Sequence, residues 1–217
     1  IQYSLPQGNM FEIYSINGIK VCMGHIKDSH VLSFSAFEDK YFTISFMDIS
    51  GNKVLNKVIT YNETGEILWA HNFEEELILR VGHSSKGNVI LAGEKSLRLV
   101  KSSGKVSKEI DFDNPISNIE ISDNLMVFIL QKGNHYEIYA YDLNLKERGS
   151  LAIKDKPRGI FLDKDSYITF YKDNLTVFNG QGSIIGVYEA TIDIDKAYIG
   201  QDKKAYIISR RKLLKLS

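Results

Sequence analysis

The chain has 217 residues, of which 43% are hydrophobic and 25% charged, an ordinary balance for a globular protein with a sizeable core. Lys+Arg and Asp+Glu are each 27, so there is no basic excess of the kind that gives a general electrostatic grip on nucleic acid or anionic membrane. Cys22 is the only cysteine, which excludes an intrachain disulfide, and no run of ~18 apolar residues is present to span a membrane as a helix.

The predicted elements are short strands throughout. Residues 11–16 alternate apolar and polar side chains, Asn17-Gly18 forms a turn, and 18–25 reads as a further strand. Tyr41-Phe42-Thr43-Ile44 sets aromatics beside β-branched residues, the composition of a strand. Residues 58–69 then give the clearest hairpin, in which Val58-Ile59-Thr60-Tyr61 leads into Asn62-Glu63-Thr64-Gly65 and out through Glu66-Ile67-Leu68-Trp69. The same phrase returns at 97–106 around Gly104, at 139–146 with Leu145 in the place of the turn glycine, and at 175–185 around Gly182. Between these hairpins lies a second phrase of strand, turn and strand. Its copies run from 77 to 93, 116 to 130, 158 to 170 and 192 to 208, with turns rich in Gly, Asp, Asn, Ser and Lys.

The spacing of the hairpin turns sets a period. Gly65 to Gly104 is 39 residues, Gly104 to Leu145 is 41, and Leu145 to Gly182 is 37. Gly18 to Gly65 is 47, which predicts an extra turn around residues 48–53. A unit of about 40 residues with four short strands is the blade of a β-propeller. A β-sandwich also has short strands at regular intervals but requires no fixed four-strand period. The fold expected is therefore all-β, a single propeller domain over 1–217. The C-terminal unit lacks its fourth strand, and 18–25 reads as a fourth strand with no unit before it. Pairing the two predicts five blades with the N-terminal strand closing the last. Because 11–16 competes for the third-strand place, six blades or an incomplete ring remain as alternatives.

Tyr61-Asn62-Glu63-Thr64-Gly65-Glu66-Ile67-Leu68-Trp69 resembles the repeat of the quinoprotein-like and WD-repeat-like propellers of bacteria. The resemblance extends over nearly the whole chain and implies that Trp69 packs between neighbouring blades. The other units lack the Trp, there is no Trp-Asp dipeptide, and the adjacent cysteines of quinoprotein dehydrogenases are missing.

The search for chemistry yields little. His25, His30, His71, His83 and His135 do not stand at metal-ligand spacing, so no metal site and no cofactor are expected. Trp69 and His71 alternate on one strand face and read as a packing pair. His83 precedes Ser84 and Ser85, which predicts a hydrogen bond local to the turn. Arg210-Arg211-Lys212, with Lys203, Lys204 and Lys215 nearby, reads as a solvated turn and outer strand, the alternative being contact with an acidic partner or a lipid surface. The innermost strand of each blade would offer Arg80, Glu120, Arg158 and Asp195 to a central channel.

The function expected is a non-catalytic interaction module that binds a protein or surface-polymer partner through its loops, as a monomer and without nucleic acid. The absence of Met at position 1 suggests that an upstream segment has been removed, a signal, an anchor or an expression tag; an extracytoplasmic domain that has lost an anchor is favoured over a cytoplasmic one, with no membrane contact from this segment itself. The alternative is a propeller enzyme, a hydrolase or lyase, with Arg80, Glu120, Arg158 and Asp195 converging in the channel. A third reading is part of a larger assembly whose remaining blades come from another chain.

Overall fold

A computed structural model describes residues 9–14, 17–26, 29–38, 40–50, 53–200, 202, 204–210 and 212–215. Among these residues the chain is all strand and turn, and every sheet is an antiparallel meander of sequence neighbours. The chain divides into two compact units, Ile1–Asp111 and Phe112–Ser217.

In the first unit, β1 (Asn9–Tyr14) and β2 (Lys20–Ile26) form a two-stranded sheet. A four-stranded sheet follows, with β3 (Ser29–Phe37), β4 (Tyr41–Ser50), β5 (Lys53–Asn62) and β6 (Ile67–Phe73) in spatial order. The next comprises β7 (Ile78–His83), β8 (Val89–Gly93), β9 (Ser96–Val100) and β10 (Val106–Asp111). The long interval before Gly65 is absorbed by β4 and β5, each ten residues long.

The second unit continues the pattern. One sheet holds β11 (Ile116–Ile121), β12 (Met126–Lys132), β13 (His135–Tyr141) and β14 (Glu147–Ile153). Another holds β15 (Gly159–Leu162), β16 (Ser166–Phe170), β17 (Asn174–Asn179) and β18 (Ile184–Glu189). The last has three strands, β19 (Lys196–Ile199), β20 (Ala205–Ser209) and β21 (Lys212–Lys215). The four whole units of the sequence are thus four whole sheets, and the 21 strands fit about five blades. The segment 18–25 pairs with β1, the run that competes with the C-terminal strand in the sequence, and β21 pairs with β20.

Burial explains why alternation is clean in some strands and lost in others. All five residues of β8, and Met126 through Leu130 of β12, are buried. A strand covered on both faces has no wet side and reads as a continuous apolar run. The fourth strands β10, β14 and β18 are mostly exposed, so they alternate or turn polar. Sheets pack face to face through the buried strands. Val58 and Trp69 meet Ile78, Val81 and Leu91 across one interface. Leu125, Val127 and Ile138 meet Ile160, Tyr167 and Phe178 across a second. Ile168, Phe170 and Leu175 meet Ile194, Ala197 and Ile207 across a third. Trp69 therefore packs between neighbouring sheets, and its strand-mate His71 donates from Nε2 to the Gly104 carbonyl at 2.7 Å.

The repeated hairpin has a local cause. In each copy the first turn residue donates its N–H to the carbonyl four residues on, and the fourth returns a bond to the first: Asn62 with Glu66 and Gly65, Lys101 with Lys105 and Gly104, Asp142 with Lys146 and Leu145, Asn179 with Ser183 and Gly182. The fourth residue has positive φ, +85° at Gly65, +84° at Gly104, +80° at Gly182 and +57° at Leu145. This is a type I turn closed by a bulge in the left-handed region, where glycine costs nothing. Leu145 tolerates the strain because its side chain is only 1% exposed and occupies the core. Leu145→Gly is therefore expected to destabilise the protein by about 2 kcal/mol, because lost burial outweighs relief of the left-handed backbone. Urea unfolding of the variant checks this; a stability gain would show that the backbone strain dominates.

Candidate binding cleft

The first strands of successive sheets lie side by side, β3 with β7 in the first unit, and β11 with β15 and β15 with β19 in the second. Of these, β7, β11, β15 and β19 carry or adjoin the residues that the sequence reading offers to a channel, and β3 does not. Arg80 is exposed on β7, in the first unit, and Glu120 is half-buried on β11. Arg158 and Asp195 occupy equivalent places, each one residue before a first strand. Each donates its backbone N–H to the second strand of its own sheet, Arg158 to Phe170 and Asp195 to Ile208, both at 2.8 Å. Arg158 Nη1 donates to the carbonyl of Ile194, the residue before Asp195, at 3.3 Å.

Beside Asp195 opens a cleft of about 450 Å³, lined by Thr191, Ile192, Asp193, Ser209, Arg210, Lys212 and Leu214. Its walls are the loop before β19 and the β20–β21 hairpin. The loop is held at its base by the Ile194 N–H donating to the Lys172 carbonyl at 2.6 Å. Lys172 Nζ also approaches Asp193 Oδ1 at 3.8 Å. On the other wall Ser209 pairs with Lys212, which leaves a two-residue turn. Such turns favour positive φ at the first central residue, normally supplied by Gly or Asn. Here that residue is Arg210, at φ +46°. The left-handed conformation costs a residue with a Cβ about 1–2 kcal/mol. The Arg210 N–H donates to Asp195 Oδ2 at 2.7 Å, which holds the turn in place. Lys212 and Leu214 alternate on β21 and so face the cleft together. Of the basic cluster read from the sequence, Arg210 and Lys212 line the cleft, while Arg211 and Lys203 lie outside the described residues.

A family model described as "Family of unknown function (DUF5711)" matches residues 9–216. The chain belongs to the DUF5711 family. A search among curated proteins finds no match. Solved structures resembling this DUF5711 chain include the Dos1 propeller, with a TM-score of 0.62 and 12% identity over 94% of this chain and 64% of that one. BBS1N, solved in complex with ARL6DN, gives 0.65 and 11% over 96% and 70%. The WD40 domain of Neurospora crassa Pan2 gives 0.54 and 10% over 95% and 70%. At these identities the likeness establishes the fold alone, a β-propeller architecture. The DUF5711 chain spans less than two thirds of the Dos1 propeller.

A second polar cluster, in the first unit, was not anticipated. His83 does not serve its own turn. Its Nδ1 lies 2.8 Å from Ser35 Oγ and its Nε2 3.2 Å from Thr43 Oγ1, both on the preceding sheet. Thr43 continues to Thr60 at 2.7 Å. Ser33 Oγ accepts from the Val81 N–H, and Ser45 Oγ donates to the Ile78 carbonyl. Phe37 and Tyr41 close over the ring, with centroids 6.0 and 5.3 Å from it. Burial pushes the His83 pKa down to about 4, which leaves it neutral and a weak base. The cluster has the character of a seam between sheets. The signal in the sequence was the alternation Ser33, Ser35 and Thr43, Ser45, hydroxyls at every second position of two adjacent strands.

Proposed function

We propose that the domain is a non-catalytic interaction module that engages a protein or surface-polymer partner through the cleft between the loop before β19 and the β20–β21 hairpin. The observation that carries this reading is Arg210. A side chain held in a strained left-handed turn, at the rim of an open cleft on a rigid stack of sheets, points to a use beyond the fold. The propeller architecture supports it, since loops presented by such a scaffold bind without catalytic groups. On this reading the chain acts outside the cytoplasm as part of a membrane-anchored protein. That placement is tested by the coding sequence upstream: a stretch of ~20 apolar residues supports an anchor, and its absence removes it.

The binding role is tested by photo-cross-linking in the native host. A benzophenone side chain placed at Thr191 is expected to give a discrete adduct, whereas one at Lys146, on a turn of another sheet, gives none. The Thr191 adduct should disappear in Lys212→Ala. Equal labelling from both positions, or none from Thr191, overturns the proposal.

A further inference from the structure

The geometry points to a carboxylate as the group this cleft recognises, carried on a peptide segment with an aliphatic neighbour; this rests on the interaction role just proposed. Two cations, Arg210 and Lys212, line the cleft, and neither has a carboxylate partner among the described residues. The acidic groups beside them are already engaged. Asp193 faces Lys172, and Asp195 accepts the Arg210 backbone N–H. The Asp195 bond uses only the backbone of Arg210, so the guanidinium stays available as a planar donor fork, the geometry that matches a carboxylate in bidentate fashion. Lys212 stands two residues away on the same hairpin and adds a second positive charge.

The remaining lining narrows the ligand. Ile192 and Leu214 are each 38% exposed and give the cleft apolar ground, suited to an aliphatic side chain next to the acid. Thr191 adds a hydroxyl at the rim, while Ser209 is buried at the floor. Asp193 also lines the cleft, so a dianion such as phosphate meets more repulsion than a singly charged carboxylate. The volume of about 450 Å³ lies within the range of small-ligand sites and takes two or three residues of an extended peptide. An Asp or Glu side chain and a C-terminus both supply such a carboxylate, and blocked peptides separate the two.

The test uses the whole 217-residue chain labelled with 15N. A leucine–glutamate–leucine tripeptide with both ends blocked is titrated in, alongside its glutamine analogue and an unblocked trileucine. The expected result is movement of the Thr191, Ile192, Arg210 and Lys212 amides with the glutamate peptide and not with the glutamine one. A response to trileucine alone assigns the carboxylate to a C-terminus and still supports the inference. Arg210→Gly suits the left-handed turn and keeps the N–H bonded to Asp195, so it leaves the fold intact; it is expected to weaken binding about tenfold or more through loss of the charged hydrogen bonds. Equal shifts from the glutamate and glutamine peptides, no shifts at these amides, or a stronger response to inorganic phosphate at the same concentration each overturn it. If the Thr191 cross-link forms while every peptide fails, the carboxylate inference falls and the interaction role stands.

Discussion

Replacing Asn56 with alanine is expected to cost the protein about 3–4 kcal/mol, a large share of the roughly 5–15 kcal/mol that holds an ordinary domain folded. Asn56 is completely buried on β5 and ties two sheets together. Its Oδ1 accepts the Ile78 N–H of β7 at 2.7 Å. Its Nδ2 donates to the Phe46 carbonyl at 2.9 Å and to Ser45 Oγ at 3.2 Å. Alanine removes all three bonds at once. It leaves the Ile78 N–H and the Phe46 carbonyl without those partners in a dry interior, at about 1–3 kcal/mol for each group, and adds a small cavity. Ser45→Ala deletes the bond to the Ile78 carbonyl and is expected to cost less, because one hydroxyl leaves fewer orphans. The two residues share Ile78 and each other, so the double variant should lose less than the sum of the singles. Chemical unfolding of the three variants reads this directly. A cost below about 1 kcal/mol for Asn56→Ala would mean that water enters and replaces the amide.

This seam also marks the boundary of what the sequence discloses. The hairpin phrase was legible because its cause is local. The turn bonds join residues three and four apart, and the left-handed position advertises itself as Gly65, Gly104 and Gly182. Even Leu145 was placed by its spacing, though not the reason for it, since burial of its side chain is a tertiary fact. Trp69 lies in the interface that the repeat resemblance implied. The sequence around His83 suggests a local turn residue because Ser84 and Ser85 adjoin it, whereas its partner Ser35 is 48 positions away. Nothing in a strand pattern says which hydroxyl on one sheet meets which ring on the next. The cleft divides in the same way. The basic run at 210–212 is visible in the sequence, but the strained φ of Arg210 and its bond to Asp195 depend on how the β20–β21 hairpin meets the loop before β19. Arg158 and Asp195 emerge at equivalent positions because the repeat that places them is itself regular.

Acidification should weaken the fold through His83, and the direction follows from its surroundings. The ring is 8% exposed and faces the hydroxyls of Ser35 and Thr43 and the rings of Phe37 and Tyr41. Glu38 and Lys40 pair with one another at 2.6 Å on the exposed β3–β4 turn, and no charged group is a partner of the ring among the described residues. Burial therefore governs, and it holds the folded-state pKa at about 4 against an ordinary value of 6.5. The unfolded chain takes up a proton as pH falls through 6.5, while the folded chain resists until about 4. Between those values the unfolded state binds more protons, so stability is lost as the pH falls from 6.5 towards 4. At one pKa unit for each 1.36 kcal/mol, the loss is about 2 kcal/mol by pH 5 and about 3 by pH 4. A neutral ring also suits the seam, because one nitrogen donates and the other accepts, which matches two hydroxyls that can each do either. The charged ring donates at both positions and leaves a cation in an apolar shell. His83→Gln keeps an amide donor and acceptor but cannot titrate. Its stability at pH 7 should be lower than that of the parent, yet its decline between pH 6.5 and 4 should be shallower by about 3 kcal/mol. Parallel pH profiles for the two proteins would show that the ring protonates in place, with the seam open to water.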